Sequence, residues 1–248
     1  MRSYFLLPSV LLLAIVLSGC LTTLPPSSSR GLTPPLNNQK SSLTGTVKDA
    51  RSGLALWNGQ VSLTNAQARY NTTIKEGTFE FKNVTPGTYT LTVEKAYYQP
   101  LKKQVIIKNS NITLAIAMTS SYSEAELDLL ARLVYAEAKG ETYQGQVAVA
   151  ASTLNRVVHP DHPNTLSGVI NQVVVSAGRK YYQYEPVLNG AIKIPASQMA
   201  KDAVSDALVG WDPSLRATGF FAPAKVGSRS WVWNRASTIT IGNHRFFR

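Results

Sequence analysis

The hydrophobic period of this chain changes at Leu43 and again at Ser121, and those changes bound what the chain can become. From Leu43 the period is two. Tyr89, Leu91 and Val93 alternate with Thr88, Thr90 and Thr92, while Ile112, Leu114, Ile116 and Met118 alternate with Thr113, Ala115 and Ala117. Successive side chains of a strand point to opposite faces, so this alternation predicts half-buried antiparallel strands. Turn residues punctuate the pattern at Arg51-Ser52-Gly53, Glu76-Gly77, Pro86-Gly87 and Asn109-Ser110-Asn111. Six or seven short strands over residues 43–119 predict a small all-β sandwich. At Ser121 the period turns helical. Ser123-Glu124-Ala125-Glu126 has the form of a capping box. The helix it opens runs to about Ala138, with Leu127, Leu130 and Val134 on one face. Gly140 breaks that helix, and a second starts at Glu141 or Thr142 with Val147, Ala150, Ala151 and Leu154 as its apolar stripe. A third spans roughly Ser197 to Leu208, capped by Ser197 and stopped by Gly210. The rest is short and aromatic, and Gly242-Asn243 between alternating runs predicts a hairpin. Residues 121–248 therefore read as an α+β domain.

The start of the chain speaks to location. Arg2 precedes a nearly unbroken apolar run from Phe5 to Val16, too short to cross a bilayer, which needs about 20 residues. It reads as the hydrophobic part of an export signal. Leu17-Ser18-Gly19-Cys20 closes it and resembles a bacterial lipobox. That resemblance implies a signal peptide over residues 1–19 and a diacylglyceryl group on Cys20, which would become the mature N-terminus. The other reading is an uncleaved anchor in which Cys20 has no special role. Residues 20–42 hold Pro25-Pro26, Ser27-Ser28-Ser29 and Pro34-Pro35 with no apolar period, as a tether does. Cys20 is the only cysteine, so disulfides, cysteine-ligated zinc and a cysteine nucleophile are all excluded.

A net charge of +11 and a pI of 9.8 favour anionic partners. Export argues against nucleic acid and leaves a membrane surface or the anionic polymers of a wall. Residues 1–120 carry a net +8 and residues 121–248 a net +3. Lys102, Lys103 and Lys108 lie in the front part; they are either a solvated face or a weak electrostatic attachment to wall polymer or lipid headgroups.

Glu137 is the next member of the Leu127, Leu130, Val134 stripe. A carboxylate on an apolar face is costly to bury while charged, and the last turn of a helix disfavours negative charge. Both raise a carboxyl pKa, as a general acid requires. Periodicity alone leaves equally open a glutamate that reaches solvent at the helix end.

Two families are resembled. Gly45-Thr46-Val47-Lys48-Asp49-Ala50, then Gly77-Thr78-Phe79 and Val84 to Leu91, resemble the carboxypeptidase-regulatory-like module, a prealbumin-like sandwich without catalysis of its own. Ala96 stands where that family usually has glycine. Leu130 to Glu141, Gly145 to Ala150, Leu154-Asn155-Arg156, Gln183 to Val187, Ala203 to Leu208, Gly210 to Pro213 and Ile241 to Phe246 resemble the SleB-type cell-wall hydrolases, the spore cortex-lytic enzymes. That resemblance implies an α+β, lytic-transglycosylase-like catalytic domain. It also implies cleavage between N-acetylmuramic acid and N-acetylglucosamine in spore cortex or vegetative wall, with Glu137 as the catalytic acid. Transglycosylases of this kind manage with one carboxylate and close a 1,6-anhydro ring without water, whereas hydrolysis of a glycoside normally needs two. Glu141 is the candidate second carboxylate, or else simply an acidic residue at a helix start; Glu185 is a weaker candidate. Tyr184, Phe220, Trp231 and Trp233 are candidates to stack on sugar rings, and equally candidates for the core. Ala222 stands where the family usually has asparagine, which lowers the expected rate or affinity and motivates a rival reading as a non-catalytic wall-binding lipoprotein. His159, Asp161 and His162 lack the spacing of a helical zinc motif, and no metal or cofactor is expected. His244 reads as a hairpin residue with a structural bond.

Overall fold

The computed structural model describes residues 40–248. The expected signal, lipobox Cys20 and the tether as far as residue 39 lie outside the described residues; Ser41 and Ser42, expected to close the tether, instead open the first strand.

Seven strands make the front part: β1 (Ser41–Asp49), β2 (Gln60–Thr64), β3 (Arg69–Thr73), β4 (Thr78–Val84), β5 (Gly87–Glu94), β6 (Leu101–Ile107) and β7 (Ile112–Met118). They form two sheets, ordered β4-β1-β7 and β3-β2-β5-β6. The alternation reads directly as burial: Tyr89, Leu91 and Val93 of β5 face the core, as do Ile116 and Met118 of β7. Leu43, Val47, Phe79 and Phe81 meet them from the other strands of the first sheet. One pairing departs from the all-antiparallel expectation. β1 and β7 run parallel, with Leu43 opposite Ile112 and Asp49 opposite Met118. Parallel neighbours need a long crossover, and here the whole intervening module supplies it.

The back part is helical first. α1 (Glu124–Ala138) begins with the predicted capping box: the Glu126 amide donates to the Ser123 hydroxyl, and the Ser123 amide donates back to the Glu126 carboxylate at 2.9 Å. α2 (Tyr143–Val157) is capped by Thr142 and is buried on almost every side from Gly145 onward. Its small Ala148, Ala150 and Ala151 let α1 and α5 (Gln198–Val209) approach it. Between α2 and α5 lie the short α3 (Leu166–Ile170), a two-stranded ribbon of β8 (Val173–Ser176) and β9 (Arg179–Tyr182), and α4 (Glu185–Asn189). A final sheet has the order β10-β12-β11, from β10 (Gly219–Phe221), β11 (Ser237–Ile241) and β12 (His244–Phe247). Among the described residues no helix is long and apolar enough to cross a membrane.

Sandwich and helices are packed together, and the described residues 40–248 lie in a single unit. The Trp57 amide donates to the Val209 carbonyl at 2.9 Å, at the end of α5. Arg51 reaches across to Ser205 Oγ at 3.2 Å and to Glu124 at 3.6 Å, while Tyr97 stacks on Tyr122. Gly210 stops α5 with φ of 122° and passes so close to Trp57 that an added Cβ would lie 3.2 Å from it. Glycine is required there for both reasons.

Candidate active site

Glu137 sits in the last turn of α1 and opens into a cleft of about 420 Å³. The walls come from Arg156 near the end of α2, Gln183 to Pro186 at the start of α4 with Asn189 at its end, Phe220 and Phe221 of β10 with Ala222 and Lys225 just after it, and His244 at the head of β12. A larger concavity of about 590 Å³ lies over the sandwich, but threonines dominate its lining and its only charged residues are Lys75 and Glu80. The helical cleft brings together Glu137, Arg156, Glu185, Lys225 and His244.

The Glu137 carboxyl is pushed up to about 7. Burial is the main cause, and the neighbouring Glu185 carboxylate adds to it; Lys225 and Arg156 pull the other way. The apolar-stripe argument thus located the residue and named the leading cause. Glu185, the second cause, ranks in the sequence only as a weaker candidate carboxylate, because nothing in the spacing of residues 137 and 185 brings them together. A carboxyl titrating near neutrality beside a second carboxyl group can hold a proton and release it to a substrate oxygen.

Arg156 is only 8 % exposed. Its Nε donates to the Thr218 carbonyl, its guanidinium lies 5.0 Å over the Tyr184 ring, and its Nη1 is buried without a partner. Tyr184 is in turn held by a 3.1 Å hydrogen bond between its hydroxyl and Thr153. Burial raises the Tyr184 hydroxyl pKa. Arg156 and Tyr184 therefore form a rigid wall rather than a pair of mobile side chains.

Glu141 is placed elsewhere than the candidate role requires. Its two carboxyl oxygens accept from the backbone amide and the side-chain amide of Asn243, each at 2.9 Å, which clasps the hairpin between β11 and β12. Partial burial works to raise its pKa, but the two bonds from Asn243 outweigh this and leave it below its ordinary value. Gly242 is the turn residue, with φ of 56°, and an added Cβ would lie 2.0 Å from Glu141 Oε2. Glu141 does not line the cleft; Glu185 does.

The aromatic candidates divide. Tyr184 and Phe220 line the cleft, but Tyr184 is 3 % exposed and offers no open ring face. Phe220 is half-buried against His244 at 5.1 Å and Phe246 at 5.7 Å. Trp231 and Trp233 are not among the cleft walls. Trp231 is 64 % exposed, with Arg235 over its ring. Trp233 packs edge-on against Phe221 and donates from Nε1 to the Gly227 carbonyl at 3.1 Å. Ala222 lies in the cleft wall beside Lys225. His244 departs from the expected structural bond: its Nδ1 is buried and unpartnered, and burial first, then Lys225, lowers its pKa. His159 and His162 are in the turn after α2 and do not reach the cleft.

The model of the cell wall hydrolase family matches residues 140–247, beginning three residues after Glu137, and the carboxypeptidase regulatory-like domain matches residues 42–119. The spore cortex-lytic enzyme of Bacillus subtilis (strain 168) is 39 % identical over 133 residues, which are 54 % of this chain and 41 % of that protein. The spore cortex-lytic enzyme of Bacillus cereus is 41 % identical over 127 residues, 51 % of this chain and 46 % of the relative. The chain thus spans less than half the length of these curated relatives. Among solved structures, the catalytic domain of the germination-specific lytic transglycosylase SleB from Bacillus anthracis is 41 % identical and aligns over 52 % of this chain and 98 % of that one, with a TM-score of 0.45. The chain holds a cell wall hydrolase domain, preceded by a carboxypeptidase regulatory-like domain.

Proposed function

We propose that this protein cleaves peptidoglycan glycan strands between N-acetylmuramic acid and N-acetylglucosamine, with Glu137 as the general acid. One observation carries the reading: the only carboxyl in the cleft lifted to about 7 is Glu137, and Glu185 stands beside it. The relatives named as spore cortex-lytic enzymes support the substrate class, and cortex lysis or wall remodelling is the setting it implies. Glu137 gives its proton to the glycosidic oxygen as the bond breaks. As carboxylate it then takes the proton of the muramic acid C6 hydroxyl, whose oxygen closes the 1,6-anhydro ring. Glu185, Arg156 and Lys225 act on Glu137 through charge. They set its proton affinity between steps. Phe220, less buried than the other lining rings Tyr184 and Phe221, is the proposed sugar platform; Trp231 is exposed enough to serve a more distant sugar.

The presence of Glu185 in the cleft favours a second reading, hydrolysis of the same bond with Glu185 as the base that activates water. Mass spectrometry of a peptidoglycan digest separates them. Transglycosylation gives anhydro-muramic ends lighter by one water, and hydrolysis gives reducing ends. A digest with neither product overturns both readings.

For location, the Leu17-Ser18-Gly19-Cys20 tetrad supports a lipid anchor on Cys20 that holds the protein at a membrane facing the wall. The basic surface of residues 43–119 then meets anionic wall polymer or headgroups.

A further inference from the structure

A second cavity, of about 550 Å³, lies where the sandwich meets the helices, and the proposed cleavage makes no use of it. From the sandwich it is lined by Lys95 and Tyr97, with Asn58 and Gln60; from the helical part it is lined by Asp212 and Arg216.

Its charges are unevenly satisfied. Asp212 is fully engaged: Oδ1 accepts from the Ser214 amide and hydroxyl at 3.0 and 2.5 Å, and Oδ2 accepts from Asn155 Nδ2 at 2.9 Å and the Arg216 amide at 3.0 Å. Lys95 and Arg216 form no ion pair among the described residues. Lys95 is half-buried, with its Nζ 5.9 Å from the centre of the Tyr98 ring, and burial lowers its ammonium pKa to about 8. A desolvated ammonium without a counter-ion costs stability, and such a group persists where something other than stability is served. The backbone points the same way. Asn58, Tyr97 and Arg216 all have positive φ, at 61°, 74° and 64°. Left-handed conformations of non-glycine residues are strained and concentrate at ligand sites.

We propose that this interdomain cavity is a second binding site, and that it takes the free C-terminal carboxylate of a short peptide. Two cations and one engaged carboxylate leave a net charge of one, which a single carboxylate neutralises and a phosphate dianion overfills. The guanidinium of Arg216 can meet a planar carboxylate through two parallel hydrogen bonds. Lys95 supplies the desolvated charge, and the amides of Asn58 and Gln60 match peptide groups. The peptide is the stem that branches from the glycan, so a bound stem would engage both parts of the protein while the strand is cut. The source of the peptide rests on the proposed peptidoglycan activity; the chemistry of the cavity does not.

The test uses diacetyl-L-lysyl-D-alanyl-D-alanine, which carries one carboxylate, together with its C-terminal amide and inorganic phosphate. Binding is followed by calorimetry on the full chain carrying Glu137→Gln, so the outcome does not depend on glycan cleavage. The acid should bind at least about tenfold more tightly than the amide, the worth of one hydrogen-bonded charge. Lys95→Met, which keeps the apolar stem, should remove that preference. Independently of any change at Lys95, the acid should slow acetylation of Lys95 in the otherwise unaltered chain, and the amide should not. Equal binding of acid and amide, tighter binding of phosphate than of the acid, or acetylation of Lys95 indifferent to both peptides would each overturn the proposal.

Discussion

Replacing Glu137 by glutamine should make the protein more stable and nearly inactive at once, and the two effects should carry different pH signatures. The carboxyl has a pKa near 7 in the fold against an ordinary 4.5. The folded state therefore holds the proton more tightly than the unfolded chain does. Below pH 4.5 both states are protonated and the group costs nothing. Between about 4.5 and 7 the unfolded chain ionises first, so stability falls as pH rises; above 7 the full cost is in place. A shift of about 2.5 units at 1.36 kcal/mol each sets that cost at roughly 3 kcal/mol as an upper bound. Glutamine keeps the shape and cannot ionise. Urea unfolding of both proteins should coincide near pH 4 and separate by about 2–3 kcal/mol at pH 8, with the variant more stable. Activity should fall by about 10²–10⁴, the usual worth of general acid–base catalysis. Cleavage by the unaltered protein should decline as pH rises through 7, where the acid loses its proton. If the variant were no more stable at pH 8, the carboxyl would not be desolvated. If it kept most of its activity, Glu137 would not be the acid.

Three further outcomes follow from the same geometry. Glu185→Gln removes the like charge that helps raise Glu137, so the alkaline limb of the activity profile should move to lower pH; a limb that stays put or rises would show that Glu185 does not act on Glu137 through charge. Gly242→Ala forces a left-handed alanine against the Glu141 carboxylate, and should cost at least about 1–2 kcal/mol in thermal unfolding while leaving Cys20 processing unchanged. Cys20→Ala should leave an unlipidated precursor that no longer fractionates with membranes; an intact mass altered only by the side chain itself would remove the anchor reading.

Several features were legible before any folding. Strand alternation over residues 43–119, the Ser123–Glu126 capping box, the Ser197 cap, the Gly210 stop and the Gly242-Asn243 turn all depend on neighbours within a few positions. Local geometry alone enforces them. Glu137 belonged to this group only in part, because a helical stripe says which face a residue takes but left open whether its carboxyl turns inward or reaches solvent. What surrounds it did not. Glu185 and Lys225 reach the cleft from 48 and 88 positions away, and Glu141, four positions from Glu137, turns instead to a hairpin 102 positions on. Nearness in sequence favoured Glu141 as the second carboxylate, yet the Gly140 break after α1 frees it to bind Asn243. The parallel β1–β7 pair, the Trp57–Val209 bond and the cavity around Lys95 likewise join segments far apart along the chain. Periodicity records how a segment meets a core, because that depends on the turn of its own backbone. It does not record which segment stands opposite, so the partners that raise one carboxyl and desolvate one lysine were decided only when the helices and sheets closed on each other.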